Sequence, residues 1–217
     1  MATITPRRPH VFSLPNQLTA ARFVLAVVLF GLISLNAWSW CLVVFVAAAI
    51  TDWLDGYLAR KQGLTSTLGR NLDPLVDKVL MCGAYIFLLP KGEGEGWLQP
   101  WMVTLVVARE LVITSLRSYL ESFGASFGAD WLGKIKMVLQ CATLLAIFLA
   151  LDARPPDVIV AQGQGQEPGI IWPNPVNVAF YAVLRDVCIY AMLAATALSG
   201  LQYIWRAVLL WKSAPEV

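Results

Sequence analysis

Apolar residues in this chain come in long uninterrupted runs, not in alternation with polar ones. The segments FVLAVVLFGLISL (23–35) and CLVVFVAAAI (41–50) are apolar on every helical face. Several stretches run about 18 or more residues with almost no charge, enough to cross roughly 30 Å of hydrocarbon. A membrane barrel would instead show short segments alternating in polarity, so the spanning element is the α-helix, which satisfies its own backbone hydrogen bonds. Six spans are predicted, at residues 18–36, 39–59, 74–90, 97–118, 132–151 and 178–208. The pattern therefore predicts an all-α integral membrane protein forming one domain over 1–217, with 1–17 as an N-terminal segment and 152–176 as a loop. The first apolar run is too long for the core of a signal peptide and more spans follow it, so it reads as a retained helix.

Composition agrees: 58% of the residues are hydrophobic and 14% charged, against about a quarter charged in soluble domains. The net charge of +2 gives no sign of a nucleic-acid surface. Where the charges lie is more informative. With an even number of spans both ends share one side, and with the N-terminus inside, 13 of the 16 Lys and Arg residues fall on that side. Only Lys91, Arg154 and Arg185 fall opposite, which predicts N-in, C-in in a cytoplasmic (inner) membrane. KGEGEG (91–96) and the Gly-, Pro- and Gln-rich stretch 153–175 then read as outer, solvated connections. The GEGEG run lacks the Lys-Ser/Thr ending and the preceding strand of a phosphate loop. Trp97, Trp101, Trp131, Trp172, Trp205 and Trp211 sit near span ends, as headgroup anchors do. Cys41, Cys82, Cys141 and Cys188 are scattered singly and predict buried thiols, not a disulfide framework.

Against this background Thr51–Lys78 stands out, with four carboxylates where one span ends and the next begins. Asp52, Asp55, Gly56 and Ala59 occupy i, i+3, i+4 and i+7, so two acids share a helical stripe with two very small residues. Asp73 and Asp77 lie i, i+4 apart at the start of the next span. Acids gathered at a membrane boundary repel unless cations join them. Oxygen-only ligands suit Mg²⁺ or Mn²⁺, and four carboxylates are enough for two ions about 3.5–4 Å apart, a pair able to neutralise a pyrophosphate. Simpler roles exist for single members: Asp73 before Pro74 resembles an N-cap, and Asp52 or Asp55 could pair with Arg60 or Arg70. A cation channel or transporter would also hold intramembrane acids, but near the midplane on broken helices and not at helix ends. A catalytically dead scaffold would have no need of all four acids.

Asp52-x2-Asp55-Gly56-x2-Ala59-Arg60 followed by Gly69-x3-Asp73-x3-Asp77 resembles the complete signature of the CDP-alcohol phosphotransferase family. The resemblance implies six transmembrane helices, a homodimer, a polar cavity facing the cytosol and a divalent metal pair. It assigns metal ligation to Asp52, Asp55, Asp73 and Asp77, proton abstraction from the acceptor hydroxyl to Asp77, and the CDP site to Gly56, Ala59, Arg60 and Gly69. The alcohol then attacks the β-phosphorus directly and CMP departs.

The acceptor is read from basic residues. Arg109 and Arg117 lie eight apart on the fourth span, and Lys134 and Lys136 follow Gly133 at the start of the fifth. Such a set repels a cationic acceptor and holds a phosphorylated one. Membrane anchoring, or pairing of Arg109 with Glu110 or Glu121, are the plainer readings. LPNQLTAAR (14–22), VARELVITSLRSYLES (107–122) and WLGKIKMVLQ (131–140) look like the bacterial phosphatidylglycerophosphate synthase branch of the family. That likeness implies CDP-diacylglycerol as donor and glycerol 3-phosphate as acceptor, with Asn16, Thr19 and Arg22 near the nucleotide or the acceptor phosphate. Branches using other acceptors, such as cardiolipin or phosphatidylinositol phosphate synthases, are the alternative. The 152–176 loop departs from the compact pattern of that branch, and adjacent Arg185 and Asp186 read as a structural ion pair.

Overall fold

The structure, a computed structural model, describes the backbone of residues 14–62, 67–122, 131–154 and 175–213, and the side chains of 17, 19–52, 75–119, 131–154 and 177–208. It is all-helical over the described residues: α1 (Leu14–Ser34), α2 (Trp38–Gln62), α3 (Thr67–Glu95), α4 (Pro100–Ser122), α5 (Trp131–Asp152) and α6 (Pro175–Ser213). Each predicted span overlaps one of these helices, the fourth beginning at Pro100 and not at 97. Two compact units divide the chain, Met1–Phe87 and Leu88–Val217, with the boundary inside α3.

α5 and the Asn177–Val208 stretch of α6 are by themselves long and apolar enough to cross a membrane, and Thr19–Ser34 and Trp38–Asp52 are shorter apolar stretches. The 39 residues of α6 extend roughly 58 Å at 1.5 Å per residue, longer than the roughly 30 Å of a bilayer's hydrocarbon core. Large apolar side chains such as Val24, Val27, Val43, Ile50, Val183, Val187 and Leu201 are exposed along the helices. Water would not tolerate so extensive an apolar surface, whereas lipid tails solvate it. Such a surface, with the two long apolar helices, is that of a membrane protein.

In the N-terminal unit α1 packs on α2. The turn between them is a Schellman cap: Ala37 N–H donates to the Leu32 carbonyl at 3.0 Å and Asn36 N–H to Ile33 at 3.1 Å. Asn36 takes the left-handed conformation this requires, at φ 55°, as asparagine tolerates better than most residues. Thr19, Arg22, Ala26, Leu29 and Ile33 are all buried, a three-four spacing that makes one inward stripe of α1. Cys41, Phe45 and Ala48 form the matching stripe of α2, and Leu80 and Ala84 that of α3. At Gly83 a Cβ would lie 2.2 Å from Cζ of Phe30, and that ring stacks on Phe87 with centroids 4.9 Å apart. Glycine is thus what lets α3 meet the Phe30 ring.

α3 starts at Thr67, not at 74 as its apolar pattern suggests. Asp73 is therefore inside the helix and is no N-cap, and Pro74 removes a backbone hydrogen bond from the ladder. The other end of α3 also differs from expectation. KGEGEG is not a loop: the helix continues to Glu95 and closes with a second Schellman cap on Gly96, at φ +83°. There Trp97 N–H donates to the Gly92 carbonyl at 3.0 Å and Gly96 N–H to Glu93 at 3.1 Å. A Cβ on Gly92 would come within 2.3 Å of Leu98 Cβ, so the glycines that suggest a flexible connection serve a tight helix end. Glu95 is its polar anchor, accepting from Trp97 Nε1 at 2.7 Å and Arg154 Nη1 at 2.5 Å, with Lys91 one turn back at 3.5 Å. Burial raises the proton affinity of the Glu95 carboxyl, but these hydrogen bonds and the Arg154 and Lys91 charges together outweigh it and hold the pKa below its ordinary 4.5.

In the C-terminal unit α6 packs against α5 and α4. Its inward stripe, Arg185, Ile189, Met192, Thr196, Ser199 and Tyr203, is buried throughout and strongly polar. The Thr143 hydroxyl lies 2.7 Å from the Leu139 carbonyl and 3.0 Å from that of Cys188, tying α5 to α6 by the side-chain hydrogen bonding that serves where neighbouring helices gain little from hydrophobicity. Trp97 is buried, with the Arg185 guanidinium 4.8 Å over its ring, so it is a packing residue and not an exposed anchor. Trp101, Trp131 and Trp205 are exposed; Trp172 and the Trp211 side chain lie outside the described residues, as does most of the 152–176 loop. Arg185 pairs with Asp186 at 2.8 Å.

Candidate active site

Helical periodicity carries the inward stripes of the N-terminal unit straight into its charged residues. Asp52 follows Ala48 by four positions and Asp77 precedes Leu80 by three and Ala84 by seven, so both acids prolong apolar stripes. Arg22 of α1 meets them. Its Nη1 donates to Oδ1 of Asp77 at 2.8 Å and its Nη2 lies 3.0 Å from Oδ1 of Asp52. One guanidinium thereby joins α1, α2 and α3. Its side chain is 3% exposed, whereas those of Asp52 and Asp77 are 46% and 27% exposed, so the cation is sunk beneath carboxylates that stay open to approach. Thr19, one turn before Arg22, is buried.

Of the remaining signature residues, Asp55, Gly56, Ala59 and Arg60 are on the last turns of α2 and Gly69 and Asp73 on the first turns of α3. Asn16 is in the first turn of α1. Their side chains lie outside the described residues, so the structure neither gathers nor separates them. Among the described residues no group of three or more His, Cys, Asp or Glu assembles. The acidic pair present fits a hard cation on two counts: its donors are all carboxylate oxygen, and both acids already converge on one positive group.

The C-terminal unit holds a second polar cluster of opposite balance. Glu110 of α4 accepts at Oε1 from Nζ of Lys136, with Arg109 Nη1 at 3.4 Å and Gln140 Nε2 at 3.5 Å. Arg109 Nη2 also donates to Oγ of Ser199 at 2.8 Å. The guanidinium carbons of Arg109 and Arg117 each lie 5.8 Å from the centroid of the Tyr203 ring, and Arg117 Nη2 is 3.4 Å from the Tyr203 hydroxyl. A Cβ on Gly133 would face that hydroxyl at 4.0 Å. Arg109 and Lys136 thus meet the Glu110 carboxylate, Arg117 joins them through Tyr203, and Lys134 is exposed at the start of α5. Excess positive charge on one aromatic support is a setting for an anion.

Within this unit the structure brings Arg109, Arg117 and Lys136 into one network and leaves Lys134 in the open. Lys136 is the surprise, since its ammonium is buried against Glu110. Ser199, Gln140 and Tyr203 belong to no signature, and the sequence pattern does not single them out. Their signal is polarity recurring on an apolar helix stripe, which identifies them as inward-facing without naming their partners.

The sequence pattern that defines the CDP-alcohol phosphatidyltransferase family matches residues 12–211. The chain belongs to that family. Similar relatives come from Bacillus subtilis, 36% identical over 155 residues covering 64% of this chain and 78% of the relative, and Pectobacterium atrosepticum, 34% identical over 145 residues covering 63% and 76%. A third, from Sodalis glossinidius, is 32% identical over 161 residues covering 70% and 82%. All three are named CDP-diacylglycerol–glycerol-3-phosphate 3-phosphatidyltransferase. The family match extends over both units, from α1 with Arg22 through α6 with Tyr203.

Proposed function

We propose that this family member transfers the phosphatidyl group of CDP-diacylglycerol to glycerol 3-phosphate, giving phosphatidylglycerol phosphate and CMP. The observation that carries the reading is the 36% identity to a relative named for that reaction, over 155 residues. Two features of the structure support it: an open acidic pair suited to a divalent cation, and a separate basic cluster suited to an anionic acceptor. On this reading Asp52, Asp55, Asp73 and Asp77 hold two Mg²⁺ or Mn²⁺ ions, and Gly56, Ala59, Arg60 and Gly69, with Asn16 and Thr19, bind the CDP moiety. Bound there, the ions supply Lewis-acid polarisation of the pyrophosphate and stabilisation of the departing CMP.

Asp77 accepts the proton of the acceptor hydroxyl as its oxygen attacks the β-phosphorus and the bond to CMP breaks. Arg109, Arg117 and Lys134 attract the acceptor's phosphate, with Tyr203 supporting the two guanidinium groups. Lys136 contributes through Glu110, whose charge it balances so that the arginines keep theirs for the ligand. Six spans in N-in, C-in arrangement, a homodimer and a site facing the cytoplasm complete the reading.

The test is CMP release by purified protein with Mg²⁺ and CDP-diacylglycerol, offered glycerol 3-phosphate, phosphatidylglycerol or inositol phosphate in turn. Turnover with glycerol 3-phosphate alone is expected. Turnover with phosphatidylglycerol and none with glycerol 3-phosphate would overturn the acceptor assignment in favour of a cardiolipin-forming relative, and metal flux into proteoliposomes without CMP release would overturn the enzyme reading.

A further inference from the structure

The contacts of Arg22 with Asp77 and Asp52 bear on how the acidic pair takes up metal. A purely structural ion pair matches one cation to one anion, and burying a charge is tolerated when such a partner is supplied. Here one guanidinium serves two carboxylates, through Nη1 to Asp77 at 2.8 Å and Nη2 to Asp52 at 3.0 Å. Burial is lopsided as well: the Arg22 side chain is 3% exposed, Asp52 46% and Asp77 27%. A second cation can reach the acids from their open side without first moving the arginine. Once there, it shares their charge with a fixed positive group, and like charges a few ångströms apart in a poorly screened setting oppose one another.

We propose that Arg22 is the resident counter-cation of the Asp52–Asp77 pair, a positioning residue that keeps the metal-free acids together and competes with the divalent ion for them. The inference rests on the metal reading above. It assigns Arg22 a role distinct from holding a substrate phosphate: the guanidinium stands in for the ion when none is bound and weakens the ion's grip when one arrives. An active-site ion held too tightly resists the rearrangement that product release demands, so tempered affinity suits a site that must turn over.

The test uses the full-length protein in detergent with Mn²⁺ alone, no lipid substrate being added. Mn²⁺ binding, read by the electron-paramagnetic signal of free ion, should be about tenfold tighter in Arg22→Gln than in wild type, an ordinary size for coupling between two ligands of one site. Arg22→Lys, which keeps the charge and loses the planar guanidinium, should fall between. Thermal unfolding supplies the second measurement: metal-free Arg22→Gln should melt below metal-free wild type, and Mn²⁺ should raise its melting temperature by more than it raises that of wild type. Should Arg22→Gln be too unstable to purify, Arg22→Lys carries both measurements. Wild-type binding with equal or weaker affinity in the variants overturns the role of Arg22 and leaves the metal reading standing. No Mn²⁺ binding in any of the three proteins overturns the metal reading, and this inference with it.

Discussion

The two polar clusters of this protein solve opposite problems with the same materials. Among the described residues, Asp52 and Asp77 meet the buried cation Arg22 and remain open to approach, whereas Arg109 and Lys136 meet the buried carboxylate Glu110, with Arg117 beside them on Tyr203. On the proposed reading the first, with its acids open to approach, takes metal. On the same reading the second, with its arginines gathered on Tyr203, takes an anion. Charge type alone would not reveal this, because both clusters contain ordinary ion pairs; stoichiometry and burial decide what each can still bind.

The largest expected effect separates chemistry from binding in the acidic cluster. Asp77→Asn should lower turnover by about 10²–10⁴-fold, the usual contribution of a positioned general base, while CDP-diacylglycerol binding is partly kept. CMP release and donor binding measured on the same preparation check this, and near-normal turnover would remove Asp77 from the base role. In the basic cluster the largest effect should be on stability. Glu110→Gln removes the carboxylate that the buried Lys136 meets, and breaking a buried ion pair typically costs about 3–5 kcal/mol. The double variant Glu110→Gln, Lys136→Met should recover much of the loss in detergent thermal melts, and an equally unstable double variant would show that the pair is not the cause.

A middle-sized effect tests what the basic excess is for. Arg117→Ala and Lys134→Ala should each raise the KM for glycerol 3-phosphate by about tenfold, the loss of one charge-assisted contact of roughly 1.5 kcal/mol, with a smaller change in kcat. An unchanged KM in both would place the acceptor phosphate elsewhere. Tyr203→Phe, which keeps the ring and loses the hydroxyl, should disturb KM less than Tyr203→Ala.

The smallest effect comes from the ion pair at the polar end of α3. The folded pKa of Glu95 is held below 4.5, so its contribution to stability is fully present above the unfolded value and is lost as pH falls through the folded one. Wild type should lose a small increment of thermal stability over that acid window, and Glu95→Gln should lose none there. An identical pH profile in the variant would mean that Arg154 and Lys91 do not stabilise the carboxylate.

The six helical segments are legible in the sequence because uninterrupted apolar runs have few alternatives to helix in lipid. Asp52 and Asp77 are legible as candidate partners because Asp52, Asp55, Asp73 and Asp77 recur at helical spacings within one short stretch, a local property; the structure brings Asp52 and Asp77 to Arg22, and the side chains of Asp55 and Asp73 lie outside the described residues. Local spacing misleads at KGEGEG, whose glycines suggest a loop, because the close approach of Leu98 to Gly92 and the cap on Gly96 depend on the chain that follows. It misleads also at Trp97, which a span-end position marks as an anchor and which packs beneath Arg185 instead.

By itself, then, the sequence determined the helices, the family and which residues carry charge into an apolar setting, since periodicity and composition act over a few turns. The tertiary structure decided the partners: that Arg22 goes to Asp52 and Asp77, 30 and 55 positions away, that Lys136 goes to Glu110, and that Tyr203 collects two arginines. Partner choice is set by which stripes face one another when helices pack, and no periodicity within a single helix encodes that.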